Sequence, residues 1–305
     1  MEQPIKEQFE INSIKPRNVF IAFLFSLFFP GLGQVYNGQP KKAILFFGLL
    51  LLFPVFFGIA RGATFFYGLL AFLFVMMCLR IFIIIDGMIC AKRQKEYVLK
   101  KYNRWYYYLL IAIAMSAILW FYNLDSILEV QVFRIPTTSS YPTLHVGDHV
   151  VADLKAYKNS EPNYGDIVVY SNPDGYMYIF RIVGLPNDTI ALNDNVLSVN
   201  GKPCNETFVK DTIFEDIPVN EFIEELPNGH KHSIYKFIQP NYLAKSNVTD
   251  IVVPADNYYL LGDNRDNAAD SRYEGFVSKD EIKGRVVYIY FSREIDRINI
   301  DFRDK

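Results

Sequence analysis

The sequence has few of the side chains that hold metals or form disulfides: of its 305 residues, three are cysteine and four are histidine. Cys78 and Cys90 lie in or beside apolar runs and leave Cys204 alone in the rest of the chain, so no disulfide framework is expected. The cysteines and histidines also lack metal-ligand spacing, and neither a metal nor another cofactor is expected. The formal net charge of -2 combines both signs, so no nucleic-acid partner is expected.

Long uncharged runs are missing from the later part of the chain and occur almost only before residue 123. About 20 apolar residues are needed to cross the hydrocarbon core of a bilayer. Three runs come close to that length and predict transmembrane helices at 42–60, 64–85 and 106–122. The predicted domains are a cytoplasmic N-terminus (1–18), a membrane domain (19–123) and a soluble domain (124–305).

The first apolar run, residues 19–29, is only about half as long as a span and then meets Pro30, Gly31 and Gly33. We therefore predict a half-depth, re-entrant hairpin over residues 19–36. The PGLGQVYNGQ segment within it is interpreted as a turn, with an interaction element as the alternative. No small-residue cleavage site precedes this segment, so a cleavable signal peptide is not expected.

Basic residues flank the hairpin and occupy the connection between the second and third predicted spans. They are Lys6, Lys15, Arg17, Lys41, Lys42, Lys92, Arg93, Lys95, Lys100, Lys101 and Arg104. The positive-inside rule assigns these segments to the cytoplasm. Three spans then place everything after Asn123 on the other face of the membrane, and the lipid bilayer is the first expected partner.

From residue 130 onward, short runs rich in Val, Ile and Tyr alternate with turn residues. ALNDNVLSVNGKP, for example, predicts two hairpin turns, at Asn-Asp and at Asn-Gly. We predict a mostly antiparallel, partly closed β domain that follows the α-helical membrane anchor. The pattern weakens over residues 205–250, where an acidic stretch predicts an insert.

Five blocks of this soluble half resemble those of the bacterial type I signal peptidases, in the same order. They are IPTTSSYPTLHVGD, GDIVVY, YIFRIVGLPND, NVLSVNGKP and VPADNYYLLGDNRDNAADSRYEGFV. That family consists of membrane-anchored serine endopeptidases of the cytoplasmic membrane, which remove signal peptides from exported proteins with a Ser/Lys pair on an extracytoplasmic β fold. The resemblance covers residues 133–292 and implies signal-peptide-bearing or extended polypeptide segments and the export machinery as partners.

The resemblance also implies roles for the residues of the first block. Ser139 falls at the nucleophile and Thr137 at the hydroxyl that completes the oxyanion hole with the Ser139 backbone N–H. Thr138 and Ser140 replace a usual glycine and a usual apolar residue. Read without the family, a Ser/Thr-rich stretch before proline is more often a turn.

The general base of this family is absent at its expected place. The family's lysine falls on Phe180, and the serine that orients that lysine falls on Ala268. A serine hydroxyl is a weak nucleophile until a neighbouring group accepts its proton, and phenylalanine cannot do so. The resemblance implies a bracing role for the other polar residues of the last block: Asp263, Arg265, Asp266, Asp270, Ser271 and Arg272.

Six other side chains could in principle accept a proton, although the family pattern places none of them at Ser139: Lys155, Lys158, His145, His149, His230 and His232. Two hypotheses follow. The chain is a working signal peptidase with an unrecognised base, or it is a catalytically impaired relative that binds extended peptides or serves as a subunit of an export or processing complex. The missing base favours the second hypothesis.

Overall fold

The computed structural model describes residues 15–172, 174–239 and 245–303, and the chain forms two compact units. The helical unit extends to Leu128 except for Thr64–Phe66, and the β unit comprises that short segment and the chain from Glu129 onward. Most of the predicted cytoplasmic N-terminus lies outside the described residues. Each unit is described by itself below.

The helical unit contains six α-helices in its described residues. They are α1 Val19–Phe28, α2 Leu32–Tyr36, α3 Pro40–Ile59, α4 Phe66–Arg93, α5 Trp105–Phe121 and α6 Leu124–Leu128. Helices α3 and α4, of 20 and 28 residues, are long and apolar enough to cross a membrane. Helix α5 is a shorter apolar helix of 17 residues, so the third predicted span stays a prediction.

The PGLGQVYNGQ segment forms a short helix with buried polar side chains. Gln34 Nε2 donates to Ile83 O at 2.8 Å, and Asn37 Nδ2 donates to Gly87 O at 2.7 Å. Ser26 of α1 packs closely against Gly87 of α4, since a methyl group on Gly87 would lie 2.6 Å from Ser26 Oγ. Polar bonds of this kind hold helices together where no water competes. The segment is therefore a packing element that joins α4, and the interpretation as a simple turn is too weak.

The β unit contains fourteen strands and one short α-helix in its described residues. They are β1 Val130–Arg134, β2 His149–Asp153, β3 Ile167–Ser171, β4 Met177–Gly184, β5 Thr189–Asn193, β6 Val196–Val199, β7 Lys202–Pro203, β8 Asn205–Phe214, β9 Ile217–Glu225, β10 Lys231–Phe237, β11 Val248–Val252, β12 Asn257–Leu261, α7 Ser271–Glu274, β13 Val277–Ser278 and β14 Ile282–Phe291. All pairs between these strands are antiparallel, so the predicted fold class is confirmed.

The strands form three sheets. The largest has the order β1-β2-β14-β3-β4-β12-β13, and the smaller ones are β10-β9-β8 and β11-β5-β6-β7. Two strand edges in the large sheet are open over the described residues. β1 is its terminal strand, and β4 pairs with β12 only from Arg181 onward, which leaves Met177–Phe180 unpaired on that side. An open edge offers unpaired N–H and C=O groups to a further strand.

The predicted insert is itself a β-sheet, which its sequence pattern did not indicate. The acidic stretch EDIPVNEFIEELPNGHKH forms all of β9, a turn and the start of β10. Charged residues on these strands meet partners of opposite sign across the sheet, for example Lys210 and Glu221 at 3.5 Å. Such cross-strand pairs stabilise strands whose composition alone is unfavourable.

Candidate active site

The serine loop follows β1 and is fixed at both ends by backbone hydrogen bonds. The Ile135 N–H donates to Asp148 O at 2.8 Å, before the loop turns. Beyond it, the Asn264 N–H donates to Ser139 O at 3.1 Å, and its Nδ2 donates to Thr138 O at 3.2 Å. Asn267 Nδ2 adds a bond to Thr138 Oγ1 at 2.9 Å. The GDNRDN segment thus holds the serine loop in place.

Gly262 brings the three predicted positions together. A methyl group on this glycine would lie 2.4 Å from Ala268 Cβ, 2.6 Å from Ser139 O and 3.3 Å from Phe180 Cε1. Contacts below 3.0 Å cannot be tolerated without a shift, so only glycine fits between them. A single point is therefore surrounded by three positions of the family pattern: the nucleophile (Ser139), the general base (Phe180) and the serine that orients the base (Ala268).

Ser139 lines a cavity of about 320 Å³ between the two open strand edges. The end of β1 and the serine loop form one wall, with Thr137, Ser139 and Ser140, and the start of β4 forms the other, with Met177 and Phe180. Ser140 Oγ crosses between the walls and donates to the Ile179 carbonyl at 3.0 Å. The residue that replaces a usual apolar side chain thus binds β4 directly.

The base position is filled by an apolar cluster. Phe180 is 4% exposed and packs with Tyr170, Ile182, Leu260 and Ala268, the last of which is 8% exposed. Among the described residues that line the Ser139 cavity there is no Lys, His, Asp or Glu side chain. In the described part of the chain, Ser139 Oγ also has no hydrogen-bond partner. The cavity therefore presents a hydroxyl without a proton acceptor.

Ion pairs behind the cavity fix the predicted bracing residues. Arg181, next to Phe180, forms a buried bidentate pair with Asp263 at 2.9 and 2.7 Å. Asp270 accepts from the Gly262 N–H at 2.9 Å and forms a second buried pair with Arg272. These bonds rigidify the loop regardless of any reaction at Ser139.

Asp266 and Ser271 brace the same segment through backbone groups. Asp266 accepts from Asn195 Nδ2 at 2.8 Å and from the Phe237 N–H at 2.9 Å. Ser271 Oγ accepts from the Leu260 N–H at 3.0 Å. The predicted bracing positions thus make polar contacts that hold this segment, although their roles stay predictions.

The carboxylate that pairs with Arg265 could not be identified from the sequence. Glu224 of β9 is completely buried and accepts from both guanidinium branches of Arg265, at 2.8 and 2.6 Å. Burial by itself would lower the pKa of Arg265, but the Glu224 carboxylate outweighs burial and raises that pKa further above its ordinary range, so the guanidinium keeps its charge. Glu224 belongs to the acidic stretch of the insert, where no family block or motif marked it.

The alternative bases near the serine loop in sequence are used elsewhere. Lys155 pairs with Glu129, and His145 Nδ1 lies 3.0 Å from Glu294 while its ring stacks on Tyr141. His149 packs between the rings of Tyr290 and Phe291, and Lys158 is exposed. None of these four side chains lines the Ser139 cavity.

His230 and His232 line a different cavity, of about 340 Å³, beside Arg181. Burial, followed by the charge of Arg181, lowers the pKa of His230 to about 4. Burial and the nearby guanidinium groups of Arg181 and Arg265 lower the pKa of His232 well below its usual value. Both imidazoles are therefore neutral near pH 7, but the carboxylates that face them are Asp263 and Glu224, and Ser139 is not among their neighbours.

Because the folded chain lowers the pKa of both histidines, we expect it to lose stability in mild acid. The unfolded chain takes up their protons near pH 6.5 and the folded chain only near pH 4 or below, so the free energy of unfolding should fall as the pH falls across this interval. Thermal unfolding of the full chain in lipid nanodiscs, followed by circular dichroism between pH 7.5 and pH 4, measures this slope. His230→Asn/His232→Asn should flatten it, and an unchanged slope would contradict the assignment.

Comparisons with known proteins agree with the residue blocks. A family model described as "Signal peptidase, peptidase S26" matches residues 102–291. A signal peptidase I of Rickettsia typhi is 34% identical over 197 residues, which are 55% of this chain and 75% of that protein. A signal peptidase I of Buchnera aphidicola is 29% identical over 214 residues, 53% of this chain and 68% of its own. A crystal structure of a signal peptidase I from Enterococcus faecalis, 22% identical, matches 41% of this chain and 97% of its own with a TM-score of 0.26.

Proposed function

Because this chain belongs to the signal peptidase family, peptidase S26, we propose that it binds signal-peptide-like segments in the Ser139 cavity without cleaving them. The observation that carries the proposal is the filling of the base position. Phe180 and Ala268 replace an amine and a hydroxyl with an apolar core, while the surrounding framework is kept. Loss of the base removes the proton transfer, and a peptide can still bind in the cavity.

The two open strand edges support binding of an extended peptide. The end of β1 and the Met177–Phe180 part of β4 both line the cavity. A segment that enters between them could bond to unpaired backbone groups on both sides and place alternate side chains in the apolar cavity. Signal-peptide-like segments fit this geometry because they combine an extended backbone with small and apolar side chains near the cleavage site.

A second function, cleavage by Ser139, is supported by the hydroxyls of the cavity. Ser139 and Thr137 both line it, and an oxyanion hole alone leaves measurable catalysis in other serine proteases. Without a base, however, the serine reacts more slowly by several orders of magnitude. Peptide binding therefore accounts for more of the observed geometry than turnover does.

The test uses the full chain in membrane vesicles with a preprotein that carries a photo-crosslinker beside its cleavage site. Wild type is expected to crosslink the preprotein and to release no mature product, and Ser139→Ala should behave identically. Ile179→Pro removes a backbone donor at the open β4 edge and should reduce crosslinking, whereas Val132→Thr, at an exposed position of β1, serves as the control. Cleavage that depends on Ser139 would refute the non-catalytic proposal.

The membrane topology is part of the same proposal. The basic segments that flank α1 and follow α4 support a cytoplasmic location for both, which leaves the β unit on the extracytoplasmic face of a bacterial cytoplasmic membrane. Export-machinery partners would reach the cavity from that face. Thiol-reactive labelling of Cys204→Ser with a cysteine introduced at exposed Asn228 tests the orientation in intact cells.

A further inference from the structure

The helical unit contains an apolar cavity of about 310 Å³ that the proposed function does not use. The PGLGQVYNGQ segment lines it with Pro30 and Val35, α3 contributes Ile44 and Phe47, and α5 contributes Met115. Its one polar lining residue among those described is Tyr102. A groove of this composition, in helices apolar enough to lie in a membrane, is suited to a hydrocarbon chain.

One end of the cavity is basic. Lys100 Nζ lies 5.9 Å from the ring centroid of Tyr102, and Tyr102 Oη donates to Gly38 O at 3.2 Å, which fixes that ring beside the start of α3. Lys41 is exposed and directly follows Pro40, which also lines the cavity. The cavity thus has a cationic mouth and an apolar interior.

Two further features make this end positive. Helices α3 and α5 both begin there, and helix N-termini carry partial positive charge. Opposing charge is missing from the sequence: residues 30–47 and 97–115, which supply the lining, contain no Asp or Glu. Lys42 is neutralised by Asp86 of α4, but Lys41 and Lys100 have no carboxylate partner among the described residues.

We infer that this cavity binds one anionic phospholipid, with an acyl chain along the PGLGQVYNGQ segment and the headgroup phosphate between Lys41 and Lys100. Charge complementarity selects this occupant. A zwitterionic lipid would fill the apolar part equally well but would leave the two ammonium groups without a net counter-charge. A transmembrane helix of another protein would fill the groove and likewise leave the cationic end uncompensated.

The two tryptophans of the chain allow a direct measurement. Trp105 begins α5 at the basic end, and Trp120 lies near the other end of the same helix. In the Trp120→Phe background, Trp105 fluorescence is recorded in phosphatidylcholine vesicles that contain a small fraction of lipid brominated on its acyl chains. Brominated phosphatidylglycerol should quench Trp105 more strongly than brominated phosphatidylcholine at the same fraction, and unbrominated phosphatidylglycerol should compete.

Charge variants decide whether the site is the one described. Lys41→Gln and Lys100→Gln should each weaken the apparent affinity for phosphatidylglycerol about fivefold, since each basic side chain near a membrane surface contributes about that factor. Lys92→Gln/Lys95→Gln is the matched control, because these exposed lysines lie in the last turn of α4 and just after it and do not line the cavity. Ile44→Phe enlarges the side chain at an exposed lining position, adds no second tryptophan, and should reduce the preference without a charge change.

Equal quenching by the two brominated lipids in the Trp120→Phe protein would overturn the inference. An equal loss in the Lys92→Gln/Lys95→Gln control would also overturn it, because the preference would then reflect general attraction of anionic lipid to the basic loops. Circular dichroism of each variant in the same vesicles confirms that the helices are retained, so that a lost preference reports on the site.

Discussion

Phe180→Lys combined with Ala268→Ser is expected to create serine-dependent cleavage of a preprotein, about 10²- to 10⁴-fold above wild type. The introduced amine would enter an apolar cluster beside Ser139 O and Ala268 Cβ, where burial lowers the pKa of a lysine toward neutrality. The serine hydroxyl at 268 gives that amine a hydrogen-bond partner. Release of mature protein from a preprotein, measured by gel in membrane vesicles, reports the effect.

The controls separate chemistry from packing. Phe180→Met/Ala268→Ser has a flexible side chain of similar length without an amine and should stay inactive. Adding Ser139→Ala to the active double variant should remove cleavage, and the activity of the double variant should rise with pH as its lysine loses its proton. A folded double variant that binds the preprotein and fails to cleave it would show that the framework has lost more than its base.

Glu224→Ala is expected to destabilise the β unit by about 3–5 kcal/mol, since it leaves the buried Arg265 guanidinium without its counter-charge. Arg265 is 1% exposed, so water cannot replace the lost carboxylate. The same change should loosen the segment that holds the serine loop. Thermal or urea unfolding of the full chain in nanodiscs, followed by circular dichroism, measures the loss.

Glu225→Ala is the matched control for this variant. It removes the neighbouring acid of the same strand, whose partner Lys231 lies 3.5 Å away and is largely exposed. A surface pair of this kind contributes less than about 1 kcal/mol. If the two variants unfolded at the same denaturant concentration, the Arg265–Glu224 pair would not stabilise the fold as its burial implies.

The sequence predicted the class of each unit well and the limits of its elements less well. Apolar length identified α3 and α4, but the apolar run predicted for α4 ended at residue 85, whereas the helix continues to Arg93. Helical hydrogen bonds can extend into a charged connection where hydropathy no longer marks them. The β8–β10 sheet was missed for a related reason, because its acidic strands depend on partners such as Arg265 that are distant in sequence.

At the site, the family register predicted which residues meet, and geometry supplied the reasons. Ser139, Phe180 and Ala268 were expected together from the order of the blocks, and their contacts around Gly262 agree with that expectation. The importance of Gly262 itself was not predicted, because a close approach of two side chains and a backbone carbonyl from distant segments leaves no local pattern. Glu224 was not predicted either, since a single acid in an acidic stretch has no distinguishing neighbour.

The apolar cluster around Phe180 and Ala268 also makes each single change toward the family's residues unfavourable for stability. Phe180→Lys alone would bury an amine that has no hydrogen-bond partner, and Ala268→Ser alone would bury a hydroxyl that has no hydrogen-bond partner. Each change would lower the free energy of unfolding by about 1–3 kcal/mol. Only the two changes together form a bonded pair. Each single change is therefore destabilising on its own, and a lysine-dependent site is reached with least cost through both changes together.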